Sequence, residues 1–250
     1  MSLERHRQDW ERLAEADPLW AVLTDPSRRG HGWDADEFLA TGAAEVGHVL
    51  ETAASLGLPN RYGRALDFGC GVGRLTRALA ERFDLAVGVD ISAAMVEAAR
   101  SVNADVPACE FVVNTSPDLA RFRSGEFDFA YSSLVLQHQP SRELVGCYVG
   151  ELLRVTAPDG LVVFGVPDAI AWPYRLGLRR RLYAFLRTLG VSEAVLLRRT
   201  SLTPMRMTVV RERLVRTWLD VRGATLRQVE VVEEGGVRML RYYVSPPSER

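Results

Sequence analysis

Between Arg64 and Val166 the chain repeats one pattern, a short apolar run followed by a stretch with apolar residues at helical spacing. Ala65-Leu66-Asp67-Phe68 reads as a buried strand, and the helix behind it carries Leu75, Leu79 and Phe83 on one side. Leu85 to Asp90 is a second strand, and Ser92 is a natural cap for the next helix, with Met95, Val96 and Ala99. Phe111-Val112-Val113 and Phe127 to Ser132 are the third and fourth strands. A helix bearing Leu144, Tyr148, Leu152 and Val155 then leads through Pro158-Asp159-Gly160 to a fifth strand, Leu161 to Val166. Strands separated by helices at this rhythm predict an α/β fold with a parallel, doubly wound sheet. Leu226 to Val232 and Val237 to Val244 meet at the tight turn Glu234-Gly235-Gly236. They make an antiparallel pair at the sheet's end, so the expected sheet has seven strands, mostly parallel, with an antiparallel last strand.

Two regions stand outside this rhythm. Residues 1–60 read as an N-terminal helical cap: Trp10, Leu13, Leu19 and Trp20 share one helical face, and Phe38 to Leu58 is alanine-rich. Asp25-Pro26 and Gly30-His31-Gly32 break it into pieces. Within the remainder, 61–250, residues 168–207 read as a helical lid inserted after the fifth strand, because so long a structureless loop is uncommon. Tyr174, Leu178, Leu182, Phe185 and Leu189 define one face of its helix. Trp172, Tyr174, Tyr183 and Phe185 are expected in the lid's core, and Trp172 and Tyr174 double as candidates for contact with a second substrate. A helix is expected at about 208–222.

Composition excludes several classes. With 47% apolar and 25% charged residues over 250 positions, the chain is neither disordered nor fibrous. Cys70, Cys109 and Cys147 are far apart and without a CxxC pair, so they read as reduced thiols, Cys109 and Cys147 in the core, and no metal cluster is expected. The opening MSLERHRQDWERL has no apolar core, and no apolar run is long enough to span a bilayer. The expectation is a cytoplasmic protein without membrane insertion. All 31 basic residues are arginine, and eleven of them fall between residues 170 and 217 against two acids, Glu193 and Glu212. The rest of the chain is acidic, which argues against nucleic acid as a partner.

The chemistry concentrates in Leu66-Asp67-Phe68-Gly69-Cys70-Gly71-Val72-Gly73, a strand ending in an acid and a turn stripped of side chains before a helix. Glycines here are expected to let a ligand approach the backbone. The dinucleotide fingerprint G-x-G-x-x-G fails: its last position is Arg74 counted from Gly69 and Thr76 counted from Gly71. Asp67 would repel a pyrophosphate and suits an amino group. Asp90 ends the next strand, where a carboxylate can accept both hydroxyls of a ribose. The site therefore expects a nucleoside carrying an amine, a demand that S-adenosylmethionine meets.

With these residues in place, LDFGCGVGRLT, VGVDIS and FDFAYSSLVLQH resemble three motifs of the class I S-adenosylmethionine-dependent methyltransferases, particularly their small-molecule branch. The resemblance covers roughly residues 60–166 and 208–245 and implies a Rossmann-like fold. It implies that Asp67 anchors the methionine amino group, directly or through water, that Phe68, Gly69, Cys70, Gly71 and Gly73 form the cofactor turn, and that Asp90 holds the ribose. Ile91 and Met95 would pack on the adenine, Asn114 and Thr115 would meet its edge, and Ser132 and Ser133 would lie near the transferable methyl. Trp33 and Phe38 would belong to the cap and are, like Trp172 and Tyr174, candidates for contact with the acceptor, and His138 is the candidate general base. The implied reaction is in-line transfer of the methyl group to a small-molecule acceptor, with oxygen favoured, in biosynthetic metabolism, releasing S-adenosylhomocysteine. Two alternatives stand beside it: a non-catalytic S-adenosylmethionine-binding regulatory subunit, and methylation of a carrier-tethered or phosphorylated substrate held by the arginine-rich insertion. A homodimer is compatible with either.

Overall fold

The computed structural model describes residues 2–170, 178–192, 195–196, 200, 202, 205, 207–234 and 236–248. Three helices open the chain: α1 (Leu3–Ala16), α2 (Pro18–Val22) and α3 (Ala35–Ser55). Asp17 separates the first two. Its Oδ1 accepts from Trp20 N at 3.2 Å to cap α2, its Oδ2 accepts from His31 N at 2.8 Å, and Pro18 at the first helical position finishes the break.

The alternating part follows as β1 (Arg64–Phe68), α4 (Arg74–Ala80), β2 (Leu85–Asp90), α5 (Ala93–Val102), β3 (Cys109–Val113), β4 (Phe127–Ser132), α6 (Arg142–Val155) and β5 (Thr156–Ile170). Ser92 and Ser141 cap α5 and α6 by accepting from Met95 N and Leu144 N. After α7 (Leu178–Thr188) come α8 (Glu212–Val221), β6 (Thr225–Glu234) and β7 (Val237–Ser245).

The seven strands lie in the order β3-β2-β1-β4-β5-β7-β6. All neighbours are parallel except β7, which runs antiparallel to both β5 and β6. Each face of the sheet buries its own cluster. Leu66, Phe68, Val87 and Val89 pack with Tyr148, Leu152 and Val155 of α6 on one side. Ala65, Phe129, Tyr131 and Val163 pack with α3 and α4 on the other. Alternate residues of one strand thus go to opposite cores, which is why the strands are apolar throughout. The cap helices make a third cluster, in which Leu13, Ala21 and Phe38 meet Val72 of the glycine turn and Met95 of α5.

Three expectations change. β5 runs on to Ile170 because β7 pairs with it that far, Ile170 opposite Val237. Cys147 sits on the exposed side of α6 rather than in the core. On α7 the leucine face is outward: Leu178, Leu182, Phe185 and Leu189 are exposed, whereas Tyr183 and Leu186 pack with Val191, Leu196 and Leu202. Spacing identified an apolar face, but this helix has two, and the one carrying Tyr183 meets the protein. The segment after β5 has a closed neck, since Val210 N donates to Pro167 O at 2.8 Å. No described helix is long and apolar enough to cross a membrane.

Candidate active site

The strand order reverses between β1 and β4, and ligands of open parallel sheets sit beyond the carboxyl ends of the strands at such a point. A cavity of about 970 Å³ occupies this crevice, at the upper end of the ~300–1,000 Å³ usual for ligand pockets. Its floor is Phe68 and Gly69 after β1, Asp90 and Ile91 after β2, and Ser133, Leu134 and Val135 after β4. Leu134 holds φ at +60°, a conformation that non-glycine residues adopt at a cost and that recurs at functional sites.

Gly69 N and Cys70 N both donate to Val89 O, folding the glycine turn over the end of β2. Gly69 and Gly71 have φ of +81° and +52°. The close approach they permit is, first, that of the protein itself. A Cβ on Gly69 would run into Val135, and one on Gly71 would lie 2.6 Å from Val22 Cγ2. A ligand was expected in this space, and two valines that themselves line the cavity fill it, so the bare turn also seats α2 and the loop after β4.

Asp90 lines the cavity and staples the turn: its Oδ2 accepts from Gly71 N and its Oδ1 from Ser92 N, each at 2.9 Å. Burial pushes its pKa up, and the amides of Ser92, Gly71 and Ile91 pull it part of the way back. A carboxylate offers about four lone-pair sites, so two hydroxyl donors can still be accommodated.

Asp67 is placed differently from the expectation. It is 1% exposed, lies behind the cavity wall and accepts from Thr76 Oγ1 at 2.7 Å, while its Oδ1 has no partner. Burial raises its carboxyl to about 7 against the pull of Thr76 and Arg74, with the charges of Glu45 and Asp90 adding to the rise. Next to it Glu45 of α3 binds Arg74 at 2.7 Å and accepts from Tyr131 Oη and Ser133 Oγ at 2.7 and 2.6 Å. Burial would raise Glu45, but Arg74, Ser133 and Tyr131 outweigh it and hold the carboxyl below its ordinary value. Ser133 spends its only proton on Glu45 and therefore presents oxygen lone pairs to the cavity that it lines.

Of the other expected residues, Ile91, Met95, Asn114, Trp33 and His138 line the cavity. Asn114 is fixed there by its backbone bond to Asp90 O and its side-chain bond to Asp118 O. Thr115 is exposed and off the wall. Cys70 packs with Val96, Ala99 and Phe111, and Gly73 occupies the N-cap of α4. Ser132 is fully buried and donates to Phe68 O, tying β4 to β1. Phe38 is buried among the cap helices, its ring edge-on to Trp33. Trp172 and Tyr174 lie outside the described residues.

The wall also contains residues that the sequence reading did not single out. His6 and Trp10 come from α1, with the Trp10 ring edge-on to His6 on one side and to His138 on the other. Gln137 and Gln139 flank His138, and Met205, Met207 and Met239 arrive from the far end of the chain. One signal was available: Leu136-Gln137-His138-Gln139-Pro140 is a polar cluster directly after an apolar strand end.

Known proteins bear on this arrangement. Residues 66–164 match a family described as a methyltransferase domain. The chain is 35% identical over 138 residues to trans-aconitate 2-methyltransferase of Deinococcus radiodurans, covering 54% of this chain and 49% of that protein. It is 33% identical over 99 residues to 2-methyl-6-phytyl-1,4-hydroquinone methyltransferase of Synechocystis, covering 39% and 30%. The chain thus spans about half or less of the length of these curated relatives. Magnesium protoporphyrin IX methyltransferase from Synechocystis, solved with bound S-adenosylhomocysteine, superposes with a TM-score of 0.57 at 21% identity, over 94% of this chain and 98% of that one. The matched stretch runs from β1 into β5 and holds the glycine turn and Asp90 together. By that stretch, residues 66–164 match a methyltransferase domain, and the sheet around it has the fold of methyltransferases of known structure.

Proposed function

We propose that this protein transfers the methyl group of S-adenosylmethionine to a small-molecule acceptor, with oxygen as the receiving atom. The observation that carries the reading is Asp90, a carboxylate held by two backbone amides at the end of β2 and facing a cavity of about 970 Å³. In this reading Asp90 accepts the ribose hydroxyls, and Ile91 and Met95 pack on the adenine. Ser133, its hydroxyl turned by Glu45, accepts from the amino group. Asp67 contributes behind the turn through its field rather than by contact.

The bound cofactor supplies an electrophilic sulfonium methyl. The protein's part is alignment and exclusion of water. The acceptor oxygen's lone pair forms the new O–C bond as the C–S pair returns to sulfur, and the hydroxyl proton leaves to a base. His138, on the cavity wall between Trp10 and Gln137, is the residue we assign to that proton.

Thermal melting with S-adenosylhomocysteine at ~100 Kd should show stabilisation of ~2.7 kcal/mol, and NAD should show little. Release of S-adenosylhomocysteine with any acceptor separates turnover from a purely regulatory binding role. No shift with S-adenosylhomocysteine would overturn the proposal.

A further inference from the structure

Part of the cavity wall lies outside the stretch shared with the methyltransferase family and has its own chemistry. Ile170 and Val237 face each other across the β5–β7 pair, with Met239 nearby opposite Pro167. Met205 and Met207 add two further thioethers from the segment before α8. This is a pliable apolar surface, suited to an irregular carbon skeleton.

Beside it, and within the matched stretch, are two polar side chains that the protein leaves unsatisfied. Gln137 and Gln139 are 6% and 5% exposed, both line the cavity, and the Oε1 atom of each is buried without a hydrogen-bond partner. Their positions are fixed from behind. Thr208 N donates to the backbone O of Gln137 and Thr208 Oγ1 to that of Gln139, both at 2.6 Å, and the same contact brings Met207 beside them. The amide nitrogens are engaged, Gln139 Nε2 with Val135 O at 3.4 Å and Gln137 Nε2 with His138 Nε2 at 3.3 Å. Each Nε2 keeps a second N–H, and the atom left without any partner is the Oε1 acceptor. Buried acceptors without donors are rare in folded proteins and favour a ligand that brings the donors. The described wall carries two carboxylates, Asp25 and Asp90, and no arginine, a setting that repels an anionic ligand.

We infer that the methyl acceptor is an uncharged, hydroxyl-bearing molecule with an apolar body, of the phenol or hydroquinone class, whose O–H groups donate to Gln137 Oε1 and Gln139 Oε1 while the methionines cover its skeleton. The inference deepens the methyl-transfer reading and rests on it for the acceptor's role, but not for the recognition. It sets the acceptor apart from a polycarboxylate such as trans-aconitate.

The test uses the full chain and three probes: 2,3-dimethylhydroquinone, its dimethyl ether, and trans-aconitate. Each is titrated calorimetrically with and without saturating S-adenosylhomocysteine. The hydroquinone should bind about tenfold or more tightly than the ether, because the ether leaves both carbonyls unpaired. trans-Aconitate should bind more weakly than the hydroquinone. In Gln137→Leu/Gln139→Leu the preference for hydroquinone over ether should collapse towards unity, with S-adenosylhomocysteine affinity unchanged. The single Gln139→Leu variant should lose part of the preference and serves if the double variant does not fold. Equal binding of hydroquinone and ether by the wild type, no binding of the hydroquinone, tighter binding of trans-aconitate, or a preference that survives in the variants would overturn the inference. Failure of S-adenosylhomocysteine to bind would instead strike the methyl-transfer reading, and the probe preference measured without it would still decide the recognition.

Discussion

Replacing Asp67 with asparagine should make the protein more stable, and only above mildly acidic pH. The Asp67 carboxyl is buried, has one donor in Thr76, and is raised by burial from 3.8 to about 7. Because the folded state holds this proton more tightly than the unfolded chain does, the associated stability is complete below pH ~4 and is lost as pH rises through about 7. A rise of about three units at ~1.4 kcal/mol each amounts to about 4 kcal/mol lost by pH 8. Asparagine keeps an acceptor for Thr76 and never ionises, so the variant escapes that loss. The assay is a pair of urea or thermal unfolding series, wild type and Asp67→Asn, from pH 4 to 8.5. Carboxylates remote from Asp67 titrate alike in both proteins and cancel in the difference. That difference should be near zero at pH 4 and grow to several kcal/mol by pH 8, roughly 10 °C in Tm for a chain of this size. Parallel stability curves would refute the reasoning, because they would mean that the carboxylate ionises in the folded state as readily as in the unfolded one.

Other expected outcomes follow from the same region. Asp90→Ala should abolish most of the S-adenosylhomocysteine-induced melting shift and also cost the free protein ~1–3 kcal/mol, since the amides of Gly71 and Ser92 lose their acceptor; denaturation with and without ligand separates the two effects. Gly69→Ala should destabilise the fold by ~1–3 kcal/mol, through the positive φ and the collision with Val135, and Val135→Ala should restore part of the loss in a double-mutant cycle. Additive effects in that cycle would mean that the collision is not the cause. Glu45→Ala should cost ~3–5 kcal/mol by leaving the buried Arg74 unpaired, whereas removing Glu4, an exposed partner of Arg7, should leave the melting curve unchanged.

The parts of the molecule that could be read from sequence are those governed by local periodicity. Strands β1, β2, β4 and β5 are buried on both faces, so their apolar runs stood out, and Ser92 announced its helix by cap chemistry. Asp90 was legible because a strand end is a position that sequence can mark. Asp67 was legible as a residue but not in its orientation. Strand alternation turns it to the face shared with α3, a fact that requires knowing where Glu45 and Arg74 lie. Gly69 and Gly71 line the cavity, but the packing demand on them was not legible, since Val22 and Val135 are 113 residues apart and meet the turn only in the fold. Gln137, Gln139 and the three methionines belong to no periodic pattern. Their convergence is made by β5 pairing with β7 and by Thr208 reaching the loop after β4.

The bond between Val210 N and Pro167 O gives the chain a fixed pair of gateposts. Whatever runs on past β5 must come back within one hydrogen bond of Pro167, three residues before that strand ends at Ile170, so the sheet experiences the same anchoring however long or short the excursion is. Loop length costs little once the ends are held together, since each doubling adds only ~0.6 kcal/mol. Evolution, or an engineer, can therefore rewrite residues 171–206 as a replaceable cassette and alter what the cavity accepts, while the framework beneath keeps its shape.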